Sequence, residues 1–278
     1  RVLSFCGLQA GQLQLAVLRL QADEPGPMSQ ALAALDIALW DLAARRADLP
    51  LHRFMGGSGD GSMPVYASGI NHPDIAGTIR RTRAEGYRCF KIKIGFSEES
   101  DAANLEEAFA ALLPGEELAV DVNQAWTRRQ ALAGFEKLRH WPLLWIEEPL
   151  RCDSPVEDWA ALAAATPHPL AAGENIRSHT GFSSAIIRRH LQPDICKWGG
   201  LSNCLPVARA VLKAGLRYCP HYLGGGIGLL ASAHLLAAVG GDGLLGVDCN
   251  PNPLRELLAR PFPAVREGRI TLSDAAGL

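Results

Sequence analysis

Short apolar runs alternate with longer segments of helical periodicity over most of this 278-residue chain. Eight such runs occur from residue 64 onward, and each is five to seven residues long, as buried strands are. Between most of them lie stretches rich in Ala, Leu, Glu and Arg that have helical character. Eight strands interleaved with helices predict a parallel sheet closed into a (β/α)-type barrel. The runs are Val65–Gly69, Phe90–Gly95, Leu118–Asn123, Leu143–Pro149, Leu170–Asn175, Pro193–Trp198, Arg217–Tyr222 and Leu244–Asp248.

An open, doubly wound sheet is the alternative architecture for the same alternation of strands and helices. Against it, no G-x-G-x-x-G motif opens a helix after the first predicted strand. In a barrel, functional side chains gather at the carboxyl ends of the strands. The polar residues of the predicted strands stand at those ends, which favours the barrel.

The segment that precedes the barrel predicts a strand followed by a helix. Residues 13–20 partly alternate between polar and apolar, as a strand does. Leucines at helical spacing predict a helix over Ser29–Arg46, with Ser29 as its N-cap. Asp36 and Asp41 lie on this helix, and we expect them to be solvated or to cap helices rather than to act in catalysis.

The glycine-rich segment 56–61 predicts a boundary between two structural units. We therefore divide the chain into a partial N-terminal capping domain (1–62), a barrel (63–262) and a C-terminal segment (263–278) that packs back on the capping domain. Because the chain opens at Arg1 partway through a sheet-like segment, we expect further sequence to precede it.

Composition narrows the class of protein. The net charge of −2 and the absence of a basic run exclude a general affinity for nucleic acid or anionic membranes. No apolar stretch approaches the roughly 20 residues that span a bilayer, and no signal peptide opens the chain. Seven scattered cysteines without a C-x-x-C pair argue against a zinc site or a disulfide framework and predict a cytoplasmic protein. Cys89, Cys196 and Cys219 lie in apolar runs and are predicted to be buried.

Three carboxylates stand at the ends of three successive predicted strands. Asp121, Glu147 and Glu174 are 26 and 27 residues apart, close to the roughly 30 residues of a βαβ unit. The barrel would therefore direct all three side chains to one rim. Three oxygen ligands without His or Cys suit a hard cation, so the sequence predicts a Mg²⁺ site.

Two lysines share one face of the second predicted strand. Alternation places Lys91 and Lys93 on the same side, with Ile92 on the other. We expect each lysine, and a nearby divalent cation, to lower the pKa of the other lysine and so to create a general base. The alternative is that both are surface lysines.

A second acid/base pair follows on two later strands. Asp194 and His221 fall at neighbouring strand ends, so the carboxylate can orient the imidazole and raise its pKa. The alternative is that His221 has only a structural role.

Together, the three acids, the two lysines and the Asp194–His221 pair predict metal-assisted removal of the proton beside a substrate carboxylate, through a metal-stabilised enediolate. Asn123, on the predicted face of Asp121, is expected to bind a substrate hydroxyl.

Six motifs in this order resemble the enolase superfamily, in particular the mandelate racemase branch of its mandelate racemase / muconate lactonizing enzyme family. The resemblance covers almost the whole chain and implies a (β/α)₇β TIM-like barrel with an α+β capping domain, of which part is present here. The helix segment Asp36–Leu42 resembles the family's capping domain. The motifs are Lys91-Ile92-Lys93, Val120–Gln124, Trp145–Pro149, Gly173-Glu174-Asn175, Pro193-Asp194 through Gly199-Gly200, and Pro220-His221.

The resemblance implies roles for the residues that match its motifs. Asp121, Glu147 and Glu174 are implied as Mg²⁺ ligands. Lys93 is implied as the base for one face of the substrate, assisted by Lys91 beside the substrate carboxylate. On the other face, His221 is the implied acid/base, paired with Asp194.

Two positions depart from the family pattern. The muconate lactonizing branch would have a lysine at position 194, and Lys197 lies out of phase for that role, so we expect it to be structural or to support a ligand. The glutamate that contacts the substrate carboxylate in the racemase aligns with Gly246, and Asp248, on the same face, is the candidate substitute.

The function expected from these features is dehydration of a sugar acid by a Mg²⁺-dependent enzyme that acts on small-molecule carboxylates. Racemisation or epimerisation of a 2-hydroxy acid by two opposed bases is the alternative reaction. A binding relative without activity is a further alternative. We also expect a homo-oligomer, with neither nucleic acid nor a membrane as partner.

Overall fold

The computed structural model describes residues 26–185, 190–259 and 262–278, in which helices and strands alternate from residue 62 onward. The elements are α1 (Gly26–Arg46), α2 (Leu51–Phe54), β1 (Ser62–Ile70), α3 (Ile75–Ala84), β2 (Cys89–Lys93), α4 (Glu98–Ala111), β3 (Glu117–Asp121), α5 (Arg128–Leu138), β4 (Leu143–Glu147), α6 (Val156–Ala165), β5 (Leu170–Ala172), α7 (His179–Ser184), β6 (His190–Leu191), α8 (Gly200–Lys213), β7 (Arg217–Tyr218), α9 (Gly226–Val239), β8 (Leu245–Asp248), α10 (Pro253–Leu258) and β9 (Arg269–Thr271).

Strands β1 to β8 form one parallel sheet in the order β7-β6-β5-β4-β3-β2-β1-β8. The two ends of this sheet come together beside β7 and β8. There the backbone N–H of Leu244, the residue before β8, donates over 3.4 Å to Sγ of Cys219, the residue after β7. Strand β9 pairs antiparallel with the start of β1. The predicted barrel is therefore confirmed, and the open sheet is wrong. Within the described ranges, every helix falls short of the length or the hydropathy that a bilayer crossing demands.

The sixth strand differs from its prediction. It occupies His190–Leu191, whereas the predicted run Pro193–Trp198 forms a turn. Asp194 Oδ1 accepts the backbone N–H groups of Cys196 (2.9 Å) and Lys197 (3.0 Å). Because this side chain satisfies local backbone donors, a turn replaces the sheet ladder there. Ile195 and Trp198 of the run are buried although they lie in a turn, whereas Cys196, which we expected to be buried, is only partly so.

The core has two layers. The larger packs between the outer faces of the strands and the helices. The smaller packs side chains from β1 to β5, from the residue after β7 and from the residue before β8, and alternation places them inside the barrel. Burial raises the pKa of Cys219 to about 12, so this thiol stays protonated. The inner residues are Tyr66, Cys89, Ala119, Trp145, Ala171, Cys219 and Leu244.

Helix α1 carries the predicted N-terminal helical pattern, but one detail of that prediction is wrong. The helix is described from Gly26, so Ser29 is a buried interior residue and not the N-cap. The strand predicted at 13–20 lies outside the described residues. At the other end of α1, the Leu278 backbone N–H donates to Asp41 Oδ1 over 2.7 Å. The C-terminal residues thus contact α1, while the domain boundaries stay a prediction.

Two buried histidines join α2 to α9. The His52 backbone N–H donates to His234 Nδ1 over 3.0 Å, and the two Nδ1 atoms are 3.4 Å apart. His234 Nδ1 is therefore an acceptor and carries no proton. Burial, and then His52, lower the pKa of His234 to about 3. Protonation of His234 Nδ1 would remove the acceptor of the His52 backbone N–H and place a positive charge in a buried site.

Acid should destabilise the protein through this pair. His234 binds a proton near pH 6.5 in the unfolded chain but only near pH 3 in the fold, so stability is complete above pH 6.5 and decreases as the pH falls. We expect a loss of about 2 kcal/mol by pH 5. Denaturant unfolding of the wild type and of His234→Asn at pH 7.5 and 5 checks this. Between pH 7.5 and 5, the free energy of unfolding should decrease less for His234→Asn than for the wild type. The exposed control His140→Asn should show the same decrease as the wild type. Equal losses in all three proteins would contradict the assignment.

Candidate active site

The three predicted acids lie together at the carboxyl ends of neighbouring strands. Asp121 and Glu147 are the last residues of β3 and β4 and stand opposite each other in the ladder. Glu174 comes two residues after the end of β5. All three side chains are buried. In the β2–β3 ladder Lys93 is opposite Asp121, which brings β2 into the group.

Both predicted lysines reach the acids. Lys91 Nζ is 2.6 Å from Glu147 Oε1 and 3.4 Å from Asp121 Oδ2. Lys93 Nζ is 2.6 Å from Asp121 Oδ2, and its side chain is 27% exposed against 2% for Lys91. The interpretation of both as surface lysines is therefore wrong.

The predicted effect on the lysine pKa is also wrong for Lys91. Burial would lower the pKa of Lys91, but Glu147, Tyr66 and Asp121 together raise it well above its ordinary value. Lys91 thus stays a charged donor, because two carboxylates stabilise its ammonium more than desolvation penalises it.

Two residues that the sequence did not predict donate hydrogen bonds to Glu147. Trp145 Nε1 donates to Glu147 Oε2 over 3.1 Å, and Gln192 Nε2 donates to the same oxygen over 2.7 Å. Trp145 stands two residues before Glu147, so strand alternation could have identified it. Gln192 follows β6, whose predicted position was too late in the chain to place it.

Glu174 has cationic partners on both oxygens. Lys197 Nζ is 2.9 Å from Oε1, and His221 Nε2 is 2.8 Å from Oε2. Although burial raises the pKa of Glu174, these partners hold it well below its usual range. Lys197 therefore contacts a predicted metal ligand, in line with the supporting role expected for it.

A further contact, which the sequence did not predict, lies next to Glu174. Asn175 Nδ2 donates to both carboxylate oxygens of Glu148, at 3.1 and 2.9 Å.

His221 lies between two carboxylates. Its Nδ1 is 2.9 Å from Asp194 Oδ2, so the predicted contact between these two residues is present. Carboxylates only accept, so both ring nitrogens act as donors here. Burial lowers the pKa of His221, but Glu174 and Asp194 outweigh it and raise the pKa to about 9. The ring therefore carries a proton at neutral pH that it can deliver.

Of the two predicted substrate-binding residues, Asn123 contacts this network through its backbone, and Asp248 contacts Asn250. Asn123 is exposed and has a φ of 52°, so the strand alternation that placed it on the face of Asp121 ends before it. Its backbone N–H donates to Asp121 Oδ1 over 2.8 Å. Asp248 Oδ1 accepts the backbone N–H (3.1 Å) and Nδ2 (2.8 Å) of Asn250. Their substrate-binding roles stay predictions.

Gly246 faces a buried tyrosine. It pairs with Tyr66 in the β1–β8 ladder, and a Cβ at position 246 would lie 2.6 Å from the Tyr66 hydroxyl oxygen and 2.8 Å from Cζ. Tyr66 is 0% exposed, and its hydroxyl has no partner among the described residues. The tyrosine therefore occupies the space that a side chain at position 246 would need.

Substitution at Gly246 should consequently be costly. We expect Gly246→Ala to destabilise the fold by about 1–3 kcal/mol through overpacking. In a Tyr66→Leu background the same substitution should cost almost nothing, because the clash is gone. Denaturant unfolding of the four proteins measures this, and Gly59→Ala, with open space around its Cβ, is the control. Equal costs of Gly246→Ala in both backgrounds would show that Tyr66 is not the obstacle.

The donor chemistry of the site fits a hard divalent cation. Asp121, Glu147 and Glu174 supply only oxygen donors. Burial, and then repulsion from the other two acids, raise the pKa of Glu147. Across the described ranges, no three His, Cys, Asp or Glu side chains already stand in a metal-holding arrangement. The oxygens instead contact lysine and histidine. Mutually repelling acids of this type are the donors that a divalent cation would stabilise.

Two protein families match the sequence. The family described as "Enolase C-terminal domain-like" matches residues 74–278, and the "Mandelate racemase / muconate lactonizing enzyme, N-terminal domain" matches residues 9–56. Together they cover both parts of the chain.

Individual proteins and structures are also similar. The D-galactarolactone cycloisomerase of Agrobacterium fabrum is 30% identical over 267 residues, which cover 89% of this chain and 70% of that protein. The L-talarate/galactarate dehydratase of Salmonella typhimurium is 33% identical over 263 residues, 91% of this chain but less than two thirds (63%) of its own length. Its crystal structure with Mg and L-lyxarohydroxamate has a TM-score of 0.85, at 28% identity, and the match covers 98% of this chain and 70% of that one.

A closely similar structure comes from Bordetella bronchiseptica RB50. It is described as a mandelate racemase/muconate lactonizing enzyme and is 53% identical, with a TM-score of 0.89. The match covers 96% of this chain and 76% of that chain.

Proposed function

We propose that this chain, which belongs to the mandelate racemase / muconate lactonizing enzyme family of the enolase superfamily, is a Mg²⁺-dependent sugar-acid dehydratase. The observation that carries the proposal is the order of charged groups across the barrel mouth. Lys93 stands at one end, the acids Asp121, Glu147 and Glu174 in the middle, and His221 at the other end. A proton-accepting and a proton-donating group thus flank one cation-binding centre.

Asp121, Glu147 and Glu174 would hold the metal. When bound, Mg²⁺ would place positive charge beside the substrate carboxylate, acidifying the neighbouring C–H bond and stabilising the negative charge that proton loss leaves. The dehydratase and magnesium-bound structure from Salmonella typhimurium supports this assignment. Burial raises the pKa of Glu147 and of Asp121, and the charged, buried Lys91 beneath them acts against this rise.

Two side chains of this protein would move the protons. Lys93 takes the proton from the carbon beside the substrate carboxylate. The C–O bond of the neighbouring carbon then breaks, and the hydroxyl leaves as water with the proton that His221 Nε2 delivers. The resulting enol tautomerises to a 2-keto acid. The two carboxylates around His221 favour its charged form, which suits it to the acid role.

Racemisation or epimerisation is the second candidate, because Lys93 and His221 reach the centre from opposite sides. The strands that separate their positions are β3 to β6. A second base could therefore return a proton to the face opposite the one that lost it. In both readings the ligand is a small-molecule carboxylate, while the homo-oligomer and the cytoplasmic location stay predictions.

A screen of aldonic and aldaric acids with Mg²⁺ in D₂O tests the proposal. A 2-keto acid product supports dehydration, whereas deuterium at the α-carbon without a keto product supports racemisation. If every compound stays unchanged, the protein is better interpreted as a binding relative without activity.

Calorimetry with MgCl₂ tests the metal assignment separately. The wild type should bind Mg²⁺, and Asp121→Asn should bind it more weakly. Absence of binding heat with the wild type would overturn the metal assignment.

A further inference from the structure

Helix α8 begins without a capping side chain of its own. Its N-cap is Gly199, with a φ of 85° and no side chain to accept a hydrogen bond. The acceptor comes instead from α1, where Asp36 Oδ2 accepts the Ser202 backbone N–H over 2.9 Å. A Cβ on Gly200 would collide with the Asp36 carboxylate, so the close approach requires a glycine there. Asp36 is 0% exposed and serves as the missing cap from another helix.

Two more hydrogen bonds join α1 to the segment before and at the start of α8. Ser29 Oγ donates to the Lys197 carbonyl over 3.0 Å, and Trp40 Nε1 donates to Ser202 Oγ over 2.8 Å. Together with Asp36, they hold residues 197–202 at three points spread along α1. The acid in the capping-domain motif is therefore neither solvated nor a cap of its own helix.

The segment held in this way carries two contacts of the candidate active site. Lys197 Nζ contacts Glu174 Oε1. The Lys197 backbone N–H also donates to Asp194 Oδ1, and the other oxygen of Asp194 contacts His221 Nδ1. A continuous path of hydrogen bonds thus leads from α1 to the imidazole.

We propose that Asp36 is a positioning residue for the active site: by capping α8 it fixes the turn that carries Asp194 and Lys197, and through Asp194 it orients the His221 ring. The catalytic relevance of that orientation rests on the proposed function, whereas the orientation itself does not. Asp36 touches neither His221 nor the three acids, so it acts only through the turn. If Asp36 merely docks α1 on the barrel, its loss would lower stability and leave the ring in place.

The His221 Nδ1 proton reports this directly. In ¹⁵N-histidine-labelled protein without substrate, its signal is assigned by its absence from His221→Asn, and its exchange with solvent is measured well below the melting temperature. We expect Asp36→Ala to accelerate this exchange at least about tenfold, which corresponds to a decrease of about 1.4 kcal/mol in the free energy of local opening. Asp36→Asn keeps an acceptor oxygen and should stay within about twofold of the wild type.

Asp41→Ala is the matched control. It removes the same residue type from the same helix but breaks the contact with Leu278 instead, so the exchange rate should not change. Should Asp36→Ala not fold, Ser29→Ala takes its place, with faster exchange expected because the tie to Lys197 is lost. If the His221 Nδ1 proton exchanges at the wild-type rate in folded Asp36→Ala, or in Ser29→Ala where that variant replaces it, the proposal is overturned. Because no turnover is measured, this result is independent of whether the protein is a dehydratase.

Discussion

His221→Asn is expected to abolish dehydration, lowering kcat by about 10²–10⁴, while proton exchange at the α-carbon continues. The imidazole lies between Asp194 and Glu174 and is the candidate donor of the proton that the leaving hydroxyl needs. Asparagine has a similar shape but cannot supply that proton. Lys93→Ala should stop both reactions, since the amine beside Asp121 is the candidate base.

The two variants are compared in D₂O with a substrate that the screen has identified. Deuterium at the α-carbon and 2-keto acid formation are followed in the same samples by NMR. His179→Asn and Lys137→Ala are the controls, since both residues are exposed and lie outside the site. Full dehydration by His221→Asn or by Lys93→Ala would refute the assigned mechanism. If His221→Asn instead loses exchange and Lys93→Ala keeps it, the two roles are reversed.

The acids of the site were predictable because two simple rules place them. Strand alternation and the length of a βα unit locate Asp121 and Glu147 at neighbouring strand ends, and the ladder has them opposite each other. Lys91 and Lys93 follow from the same alternation. Barrel topology then brings residues that are distant in sequence to one rim.

The remaining features depend on contacts that no local pattern encodes. The Asp194 side chain captures backbone donors and converts a strand-like run into a turn. Burial alone would lower the pKa of Lys91, and only the positions of Glu147 and Asp121 across the barrel reverse the effect. Whether the space beside the Gly246 Cα is empty or occupied depends on Tyr66, 180 positions earlier in the chain. Such effects require the packed structure.

The buried ion pair beneath the site should produce the largest change in stability. Lys91 Nζ and Glu147 Oε1 are 2.6 Å apart, and the two side chains are 2% and 1% exposed. Glu147→Leu leaves the Lys91 ammonium with Asp121 at 3.4 Å and removes the acceptor of Trp145 and Gln192. A buried charge without its partner typically costs about 3–5 kcal/mol, so we expect that loss in the free energy of unfolding.

The double variant Lys91→Met/Glu147→Leu separates stability from function. Because apolar residues of similar volume often replace a buried pair at little cost, we expect it to be more stable than Glu147→Leu alone, yet inactive and weaker in Mg²⁺ binding. Urea unfolding in EDTA measures the cycle without metal. The same cycle with alanines at Arg128 and Asp158, an exposed pair at 3.0 Å, should give at most about 1 kcal/mol of coupling. Additive costs at Lys91 and Glu147 would mean that the two charges do not stabilise each other, and the role of Lys91 in opposing the raised pKa of Glu147 would then be wrong.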